Sequence, residues 1–206
     1  YGTGVKNPTF TELFGFFAPF TPNPNLQPES NEGYDFGVDQ SFWQNRVQLS
    51  GTFFINRVKD AITGNGTSSQ NSVGTTKIWG NEWTADADLT DNLTVNASYT
   101  YTNHEDPNGL ELLRRAKHIA STNLEYRLME DRARLFLTAD FNGTQADNDF
   151  DPAFSTTRVQ LDAFTNITVG CSYRIMEGLL LKGRIENLLD DQYEEVLGFQ
   201  NTGCRR

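Results

Sequence analysis

Polar and apolar residues alternate along several stretches of this chain, most regularly in NLTVNASYTYT at 92–102. Strict alternation places apolar side chains on one face of a β-strand and polar side chains on the other. Four other stretches keep the same two-residue period over about ten residues or more. The pattern therefore predicts an all-β protein whose sheet has one apolar face and one polar face.

Breaks in the alternation divide the chain into four predicted hairpins. Their paired strands cover 31–42 and 46–59, 75–89 and 92–103, 118–128 and 132–141, and 159–175 and 179–188. The turn inside each hairpin is short, whereas the connections 60–74, 104–117 and 142–158 are longer and polar. Alternate connections of an up-and-down sheet lie at the same end. We therefore expect short turns at one rim and long loops at the other, an arrangement typical of outer-membrane barrels.

The polar phase of the predicted strands is strongly charged. Its charged residues are Asp35, Asp39, Glu82, Asp86, Asp88, Glu125, Asp140, Asp162, Glu186, Arg46, Arg127, Arg132, Arg134, Arg174, Lys182 and Arg184. Charges on such a face can pair across strands beside water, but they cannot form a dry core. We therefore expect this face of the sheet to be hydrated.

Periodicity alone leaves open what covers the apolar face. A soluble barrel of the lipocalin type would enclose that face, whereas a membrane barrel turns it toward lipid. Several predicted strands exceed the 5–6 residues typical of soluble sheets and suffice for the ~9–11 residues that cross a bilayer. Aromatic residues also join the apolar phase, some of them near strand ends, as at a membrane interface. Both features favour the membrane barrel.

Composition excludes several other classes of protein. The 206 residues carry a net charge of -10, which argues against a nucleic-acid-binding protein. The longest aliphatic run, Leu179 to Leu181, is far shorter than the ~20 residues of a membrane-spanning helix. Common hydrolase, phosphate-loop and zinc motifs are absent from the sequence, which predicts that the protein is not an enzyme. We expect Cys171 and Cys204 to be unpaired.

The first thirty residues, YGTGVKNPTFTELFGFFAPFTPNPNLQPES, resemble a stretch of the TonB-dependent outer-membrane receptors. The matching residues are Tyr1, Gly2, Thr3, Lys6, Pro8, Glu12, Leu13, Asn23, Pro24, Leu26, Pro28 and Glu29. The segment RIENLLDDQYEEVLGFQNTG at 184–203 is similar to the last-hairpin signature of the same family. The segment LELLRRAKH at 110–118 resembles an element of the cobalamin transporters within the family.

The resemblance implies an antiparallel up-and-down transmembrane β-barrel of about 22 strands around a plug domain. Residues 1–206 would supply its C-terminal portion, with about eight complete strands, and the plug and N-terminal strands would lie outside this chain. The implied protein resides in the outer membrane of a Gram-negative bacterium and contacts its lipid. It would take up a scarce nutrient with energy from a TonB-type coupling protein, which acts through the missing N-terminal region.

The sequence leaves both the substrate and the class of protein open. Cobalamin (vitamin B12) is the first candidate ligand, and a ferric siderophore is the second. A self-contained eight-stranded barrel is the rival architecture, either as a soluble carrier of an apolar ligand or as a membrane anchor without transport activity.

Three groups of residues in predicted loops are candidate binding sites. They are the aromatic side chains of Phe14, Phe16, Phe17 and Phe20, the guanidinium groups of Arg114 and Arg115, and the carboxylates of Asp147, Asp149 and Asp151. Exposed aromatics offer rigid contact area, arginines attract anionic ligands, and clustered carboxylates can bind calcium. Each group also has a structural interpretation, as loop packing, as loop-anchoring ion pairs and as solvated charge. We expect no other cofactor, and we interpret the isolated His104 and His118 as structural.

Overall fold

The computed structural model describes residues 1–15, 18, 20–64, 67–150, 156–201 and 203. Antiparallel β-strands make up most of this part of the chain, so the predicted fold class is confirmed. In the same residues, none of the helical structure combines the length and the apolar character that crossing a membrane requires.

Fifteen strands and one short helix are present in the described residues. They are β1 (Gly2–Lys6), α1 (Phe10–Phe14), β2 (Glu29–Phe42), β3 (Val47–Lys59), β4 (Ile62–Gly64), β5 (Ser69–Asn71), β6 (Thr75–Asp88), β7 (Leu93–Glu105), β8 (His118–Leu128), β9 (Ala133–Asn142), β10 (Gln145–Phe150), β11 (Thr156–Leu161), β12 (Phe164–Met176), β13 (Leu179–Ile185), β14 (Glu194–Val196) and β15 (Phe199–Gln200).

Within the described residues, nine of these strands form one sheet. Its order is β1-β2-β3-β6-β7-β8-β9-β12-β13, so neighbours in the sheet follow one another in chain order. The four predicted hairpins correspond to β2–β3, β6–β7, β8–β9 and β12–β13. Three separate two-stranded sheets, β4–β5, β10–β11 and β14–β15, lie outside the main sheet.

The structure corrects the sequence prediction at the connections. The sequence predicts loops over 60–74 and 142–158, but each segment contains strands of a small hairpin. The single strand predicted over 159–175 is instead divided into β11 and β12, with Asp162 and Ala163 between them. Alternation continues through this division because β11 keeps the two-residue period while it pairs with β10 outside the main sheet. The two-residue alternation along one strand does not indicate which strand it pairs with, so the sequence pattern could not predict this change of partner.

The chain divides into two compact units. Unit 1 consists of Tyr1–Phe36, Phe53–Gly80 and Asn103–Leu112, and it includes β1, α1, β4 and β5. Unit 2 consists of Gly37–Thr52, Asn81–Thr102 and Leu113–Arg206, and it includes β8 to β15. Strands β2, β3, β6 and β7 contribute residues to both units.

The strand register in unit 2 continues each face from strand to strand. One line of cross-strand partners is entirely apolar and runs Val95, Leu124, Leu137, Val169, Ile185. The adjacent line is entirely polar and runs Asn96, Asn123, Thr138, Thr168. Paired residues in a sheet lie on the same face, so the two phases that alternation predicted become two continuous surfaces.

Aromatic residues border the apolar face of unit 2 at both ends. Near the long loops, Tyr101 is the cross-strand partner of His118. Near the short turns, Tyr173 is the partner of Ala133, which in turn is the partner of Leu128. His118 and Leu128 are the two ends of β8, so the two aromatic borders are separated by the length of this strand, roughly 34 Å at ~3.4 Å per residue. With a strand tilt of ~40°, this length spans about 26 Å, close to the ~25 Å apolar band of an outer-membrane barrel.

One aromatic side chain departs from the two-face pattern. Phe136 lies on the polar face, where its ring covers Gly170 of the neighbouring strand. A Cβ at Gly170 would overlap this ring and would also approach the carbonyl oxygen of Gly183 to 2.9 Å. Glycine at this position therefore makes room for Phe136.

We expect a Gly170→Ala substitution to destabilise the sheet by about 1–3 kcal/mol, because the added methyl group overpacks the contact with Phe136. The measurement is the urea midpoint of the full-length protein. Gly183→Ala is the matched control, since a Cβ there meets no atom within 4 Å. Equal midpoints for the two variants would contradict the packing interpretation.

Candidate functional site

The long-loop end of unit 2 is organised around the carboxylate of Asp147 in β10. This side chain is 0% exposed. Its Oδ1 accepts hydrogen bonds from Arg114 Nε at 2.9 Å and from the backbone N–H of Asn148 at 2.8 Å. Its Oδ2 accepts a hydrogen bond from the backbone N–H of Leu197 at 2.9 Å. One buried carboxylate therefore joins the connection before β8 to the segment between β14 and β15.

Backbone and amide hydrogen bonds reinforce the same junction. The backbone N–H of Arg114 donates to the carbonyl of Ala146 at 2.7 Å, and Gln145 Nε2 donates to the carbonyl of Glu195 at 2.7 Å. Arg114 has a φ of 57°, in the left-handed region that residues other than glycine seldom occupy. The contacts to Ala146 and Asp147 hold Arg114 in this conformation.

The environment of Asp147 controls its ionisation. Burial raises the pKa of this carboxyl, but the N–H groups of Leu197 and Asn148 and the guanidinium of Arg114 outweigh that effect. The resulting pKa lies below its ordinary value. Asp147 is therefore an anion at neutral pH, as its three donors require.

This geometry connects two of the predicted sites. Arg114, predicted to bind a ligand, pairs with Asp147, predicted to bind calcium. Asp149 lies on the same strand and is exposed, and Asp151 lies outside the described residues. In the part of the chain that the structure describes, no group of three His, Cys, Asp or Glu side chains is arranged to hold a metal ion. Calcium binding by the three aspartates stays a prediction.

Arg114 also lines an open cavity beside the junction. Its side chain is 49% exposed, so the guanidinium contacts Asp147 on one side and solvent on the other. The cavity has a volume of about 520 Å³, and its other lining residues are Tyr193, Glu195, Val196, Phe199 and Asn201. The ring of Tyr193 stacks on Phe164, with centroids 3.7 Å apart. Arg115 is exposed at the next position.

The predicted aromatic site belongs to unit 1. Phe14 is the last residue of α1; it is 59% exposed, and its ring contacts Phe10 at a centroid distance of 4.9 Å. Phe20 is half-buried, and Phe16 and Phe17 lie outside the described residues. The structure therefore places one exposed aromatic ring of the predicted group at the end of α1.

Helix α1 begins at a capping box formed by Thr9 and Glu12. Glu12 Oε2 accepts from the backbone N–H of Thr9 at 2.6 Å, and the backbone N–H of Glu12 donates to Thr9 Oγ1 at 3.3 Å. The backbone N–H of Thr9 and the Thr9 hydroxyl, which donates to Glu12 Oε2 at 2.8 Å, lower the pKa of Glu12. Thr9 and Glu12 thus define the start of a helix that the sequence prediction did not include.

Asn23 and Asn71, which are not among the candidate binding residues, connect the segment after α1 to the hairpin β4–β5. Asn23 Nδ2 donates to the carbonyl of Ser69 at 3.1 Å. Asn71 Oδ1 accepts from the backbone N–H of Gln27 at 2.8 Å, and Asn71 Nδ2 donates to the carbonyl of Gln27 at 2.8 Å. Asn23 is one of the residues that match the family in the first thirty positions, but no local pattern marks Asn71 as its counterpart.

The two histidines and Asn187 have structural contacts. His104 is buried, and its Nδ1 accepts from the backbone N–H of Leu112 at 3.0 Å. His118 Nδ1 lies 2.8 Å from the Tyr99 hydroxyl oxygen. Asn187 is buried, and its amide closes a turn through both backbone groups of Asp191. Cys171 is a free, exposed thiol, and Cys204 lies outside the described residues.

Comparison with known proteins gives one family. Residues 1–188 match the family model described as "TonB dependent receptor-like, beta-barrel". The curated protein named Vitamin B12 transporter BtuB, from Photobacterium profundum, is 32% identical over 202 residues, which cover 93% of this chain and 31% of that protein. The chain therefore spans about a third of the length of this relative.

Solved structures share the fold at lower identity. The copper transporter OprC has a TM-score of 0.78 at 20% identity, covering 98% of this chain and 34% of that chain. The ferripyoverdine receptor of the outer membrane of Pseudomonas aeruginosa has a TM-score of 0.74 at 16% identity, covering 87% and 26%. The ferric-catecholate import receptor Fiu from K12 E. coli has a TM-score of 0.74 at 16% identity, covering 94% and 28%.

We expect Asp147→Asn to loosen the β14–β15 segment, because the neutral amide cannot replace the charge-assisted hydrogen bonds to Arg114 and Leu197. The expected loss of local stability is about 1–3 kcal/mol. Amide hydrogen exchange at Leu197 in the full-length protein measures this local stability. Asp149→Asn is the matched control, since Asp149 is exposed on the same strand. Unchanged protection of Leu197 in Asp147→Asn would contradict the role of this carboxylate.

The depressed pKa of Asp147 also predicts how protection of Leu197 depends on pH. A carboxyl whose folded pKa is lowered stabilises the fold above its unfolded pKa of about 3.9, and this contribution disappears as the pH falls through the folded pKa. We therefore expect the protection factor of Leu197 to be constant near neutral pH and to fall only below about pH 4. In Asp147→Asn this decrease in protection below about pH 4 should be absent. If the decrease persists in the variant, a titrating group other than Asp147 causes it.

Proposed function

The chain belongs to the family of TonB-dependent receptors, and we propose that it forms part of the barrel wall of a receptor that imports cobalamin across the outer membrane. The observation that supports cobalamin as the substrate is the 32% identity to a vitamin B12 transporter over 93% of the chain. The segment LELLRRAKH at 110–118, which contains Arg114, agrees with it.

The two faces of the sheet support a role in the barrel wall. Large apolar side chains such as Leu135, Tyr173 and Leu181 are exposed on the apolar face, and lipid is the solvent that suits them. The opposite face carries charged and hydroxyl groups, including Asp140, which accepts a hydrogen bond from Ser121 Oγ at 2.6 Å. Such a face suits the hydrated interior of a barrel.

The residues at the long-loop ends support a role in ligand capture. Arg114 lines the cavity in unit 2 and is positioned by a buried carboxylate, and Phe14 exposes an aromatic ring at the end of α1 in unit 1. A positioned cation and a rigid aromatic ring both reduce the entropy that is lost on binding a ligand. We propose Phe14, Phe20, Arg114 and Arg115 as ligand contacts of the receptor, with Phe16 and Phe17 as members of the same aromatic group.

The proposal extends to the partners of the whole receptor. Receptors of this family are outer-membrane proteins of Gram-negative bacteria. Energy for transport would come from a TonB-type coupling protein that acts on a region outside this chain, while lipid surrounds the apolar face. The chain would act in transport and not in catalysis, and calcium at Asp147, Asp149 and Asp151 would be an accessory ion.

Uptake of a ferric siderophore is the second candidate function. The ferripyoverdine receptor and the ferric-catecholate import receptor share the fold of this chain. Their identity of 16% supports the common barrel and not a common ligand. The family match over residues 1–188 argues against the third alternative, a self-contained eight-stranded carrier of an apolar ligand.

We expect the full-length gene to restore cobalamin-dependent growth to a strain that lacks its own cobalamin receptor. Parallel cultures with ferric siderophores as the iron source test the second candidate. Growth with a siderophore and not with cobalamin would transfer the assignment to iron uptake, and growth with neither would contradict both substrates.

A further inference from the structure

The cavity beside Arg114 is lined by two residues of opposite charge. They are Arg114 itself and Glu195, which belongs to β14. Around them lie Tyr193, Val196, Phe199 and Asn201, all in unit 2. The volume of about 520 Å³ falls within the range of ~300–1,000 Å³ that is typical of small-molecule sites. The cavity can therefore hold a polar group of a ligand together with the hydrocarbon that carries it.

The buried carboxylate of Asp147 balances the charge that Arg114 brings to this cavity. Asp147 is 0% exposed and accepts a hydrogen bond from Arg114 Nε at 2.9 Å. The side chain of Arg114 is half exposed, so its remaining N–H groups can donate to a ligand. Arg115, the next residue, is not among the lining residues of the described cavity. Arg114 is thus a positioned hydrogen-bond donor whose charge is already paired.

Glu195 adds a negative charge that its neighbours do not balance. Its side chain is exposed and forms no ion pair or hydrogen bond in the described part of the chain. Its backbone is fixed, because its carbonyl accepts from Gln145 Nε2 at 2.7 Å. With Arg114 paired to Asp147, the carboxylate of Glu195 gives the cavity a net negative charge.

A primary carboxamide matches this combination of groups better than a carboxylate does. The amide oxygen accepts a hydrogen bond and the amide NH2 group donates, so the group needs both a donor and an acceptor from the protein. Arg114 is such a donor and Glu195 is such an acceptor. A carboxylate has acceptors only, and it would meet the like charge of Glu195. Repulsion of the wrong ligand is one of the ways in which a binding site becomes specific.

We propose that Glu195 is a specificity-determining residue of the receptor, and that the cavity binds an uncharged carboxamide of the ligand in preference to a carboxylate. Arg114 donates to the amide oxygen, and Glu195 accepts from the amide NH2 group. Val196 and Phe199 supply apolar contacts to the hydrocarbon beside the amide. The inference rests on the proposed function, because cobalamin carries several primary carboxamides around its ring.

This preference is the opposite of what Arg114 alone would produce. A free guanidinium attracts carboxylates and forms charge-assisted hydrogen bonds with them. Pairing with Asp147 removes the net charge behind that attraction, and Glu195 turns it into repulsion. The selectivity of the cavity therefore depends on three charged side chains and not on the arginine by itself.

Matched ligands test the preference in the full-length receptor. The monocarboxylic acids of cyanocobalamin each replace one carboxamide of the ring by a carboxylate and leave the rest of the ligand unchanged. The measurement is the Kd of cyanocobalamin and of each acid at neutral pH, where the carboxyl groups are ionised. We expect at least one acid to bind about tenfold or more weakly than cyanocobalamin, because Glu195 repels its carboxylate.

The variant Glu195→Gln identifies the residue that is responsible. Glutamine is uncharged and still accepts a hydrogen bond, so the Kd of cyanocobalamin should change less than about threefold while discrimination against the acid falls to about threefold or less. Glu194→Gln is the matched control, because Glu194 accepts from the backbone N–H of Gly198 at 3.0 Å and does not line the described cavity. It should keep the discrimination. Resistance of the barrel to heating in detergent shows that each variant is folded.

A second measurement uses no substrate. A bimane label on Asn201→Cys, as the only cysteine of the receptor, places a fluorophore in the lining of the cavity. Iodide is an anionic quencher and acrylamide a neutral one, so the ratio of their quenching constants reports the local charge. We expect Glu195→Gln to raise the iodide-to-acrylamide ratio about twofold, since a repelling charge is removed. Glu194→Gln should change this ratio less.

Two binding results would overturn the proposal. They are binding of every acid at least as tight as that of cyanocobalamin, and discrimination that persists in folded Glu195→Gln. Failure of the receptor to bind cyanocobalamin would contradict the proposed function instead, and the quenching ratio then decides on Glu195. A ratio that is unchanged in Glu195→Gln overturns the inference, whereas a raised ratio supports a cavity that repels anions.

Discussion

The register of the antiparallel strands is the constraint on which the rest of this structure depends. Side chains alternate with a period of two, so a shift of one residue between β8 and β9 would move every apolar side chain of one strand to the polar face. The observed register avoids this by aligning Leu124 with Leu137 and Asn123 with Thr138. A wall that faces lipid needs this alignment because the shift would turn polar side chains such as Asn123 toward an apolar environment.

Strand pairing also determines which charged side chains meet at the two ends of unit 2. At the short-turn end it sets Arg127 opposite Arg134 on the polar face, where carboxylate oxygens of Asp131 and Glu125 lie 3.8 and 3.7 Å from the respective guanidinium groups. At the long-loop end of unit 2, β10 leaves the main sheet and presents Asp147 to Arg114 and Leu197. A carboxylate with 0% exposure is stable there because three donors compensate its loss of hydration.

Family membership gives these features a common interpretation. Under the proposed import function, the long-loop end would capture ligand and the polar face would line the hydrated interior of the barrel. The cavity beside Arg114 at the long-loop end shares no lining residue with the paired Arg127 and Arg134 at the short-turn end.

The strand period, the two faces and the family could all be predicted from the amino-acid sequence. Val95 and Leu124 were assignable to the apolar face because alternation is a local property, and the terminal motifs identified the receptor family. The folded chain was needed to distinguish Asp147 from Asp149, which look alike in the sequence but are buried and exposed respectively. The pairing of Asp147 with Arg114, the division of the strand at Asp162 and the role of Asn71 likewise depend on partners distant in the chain. A two-residue period contains no information about such partners, because they are chosen by packing and hydrogen bonding between elements.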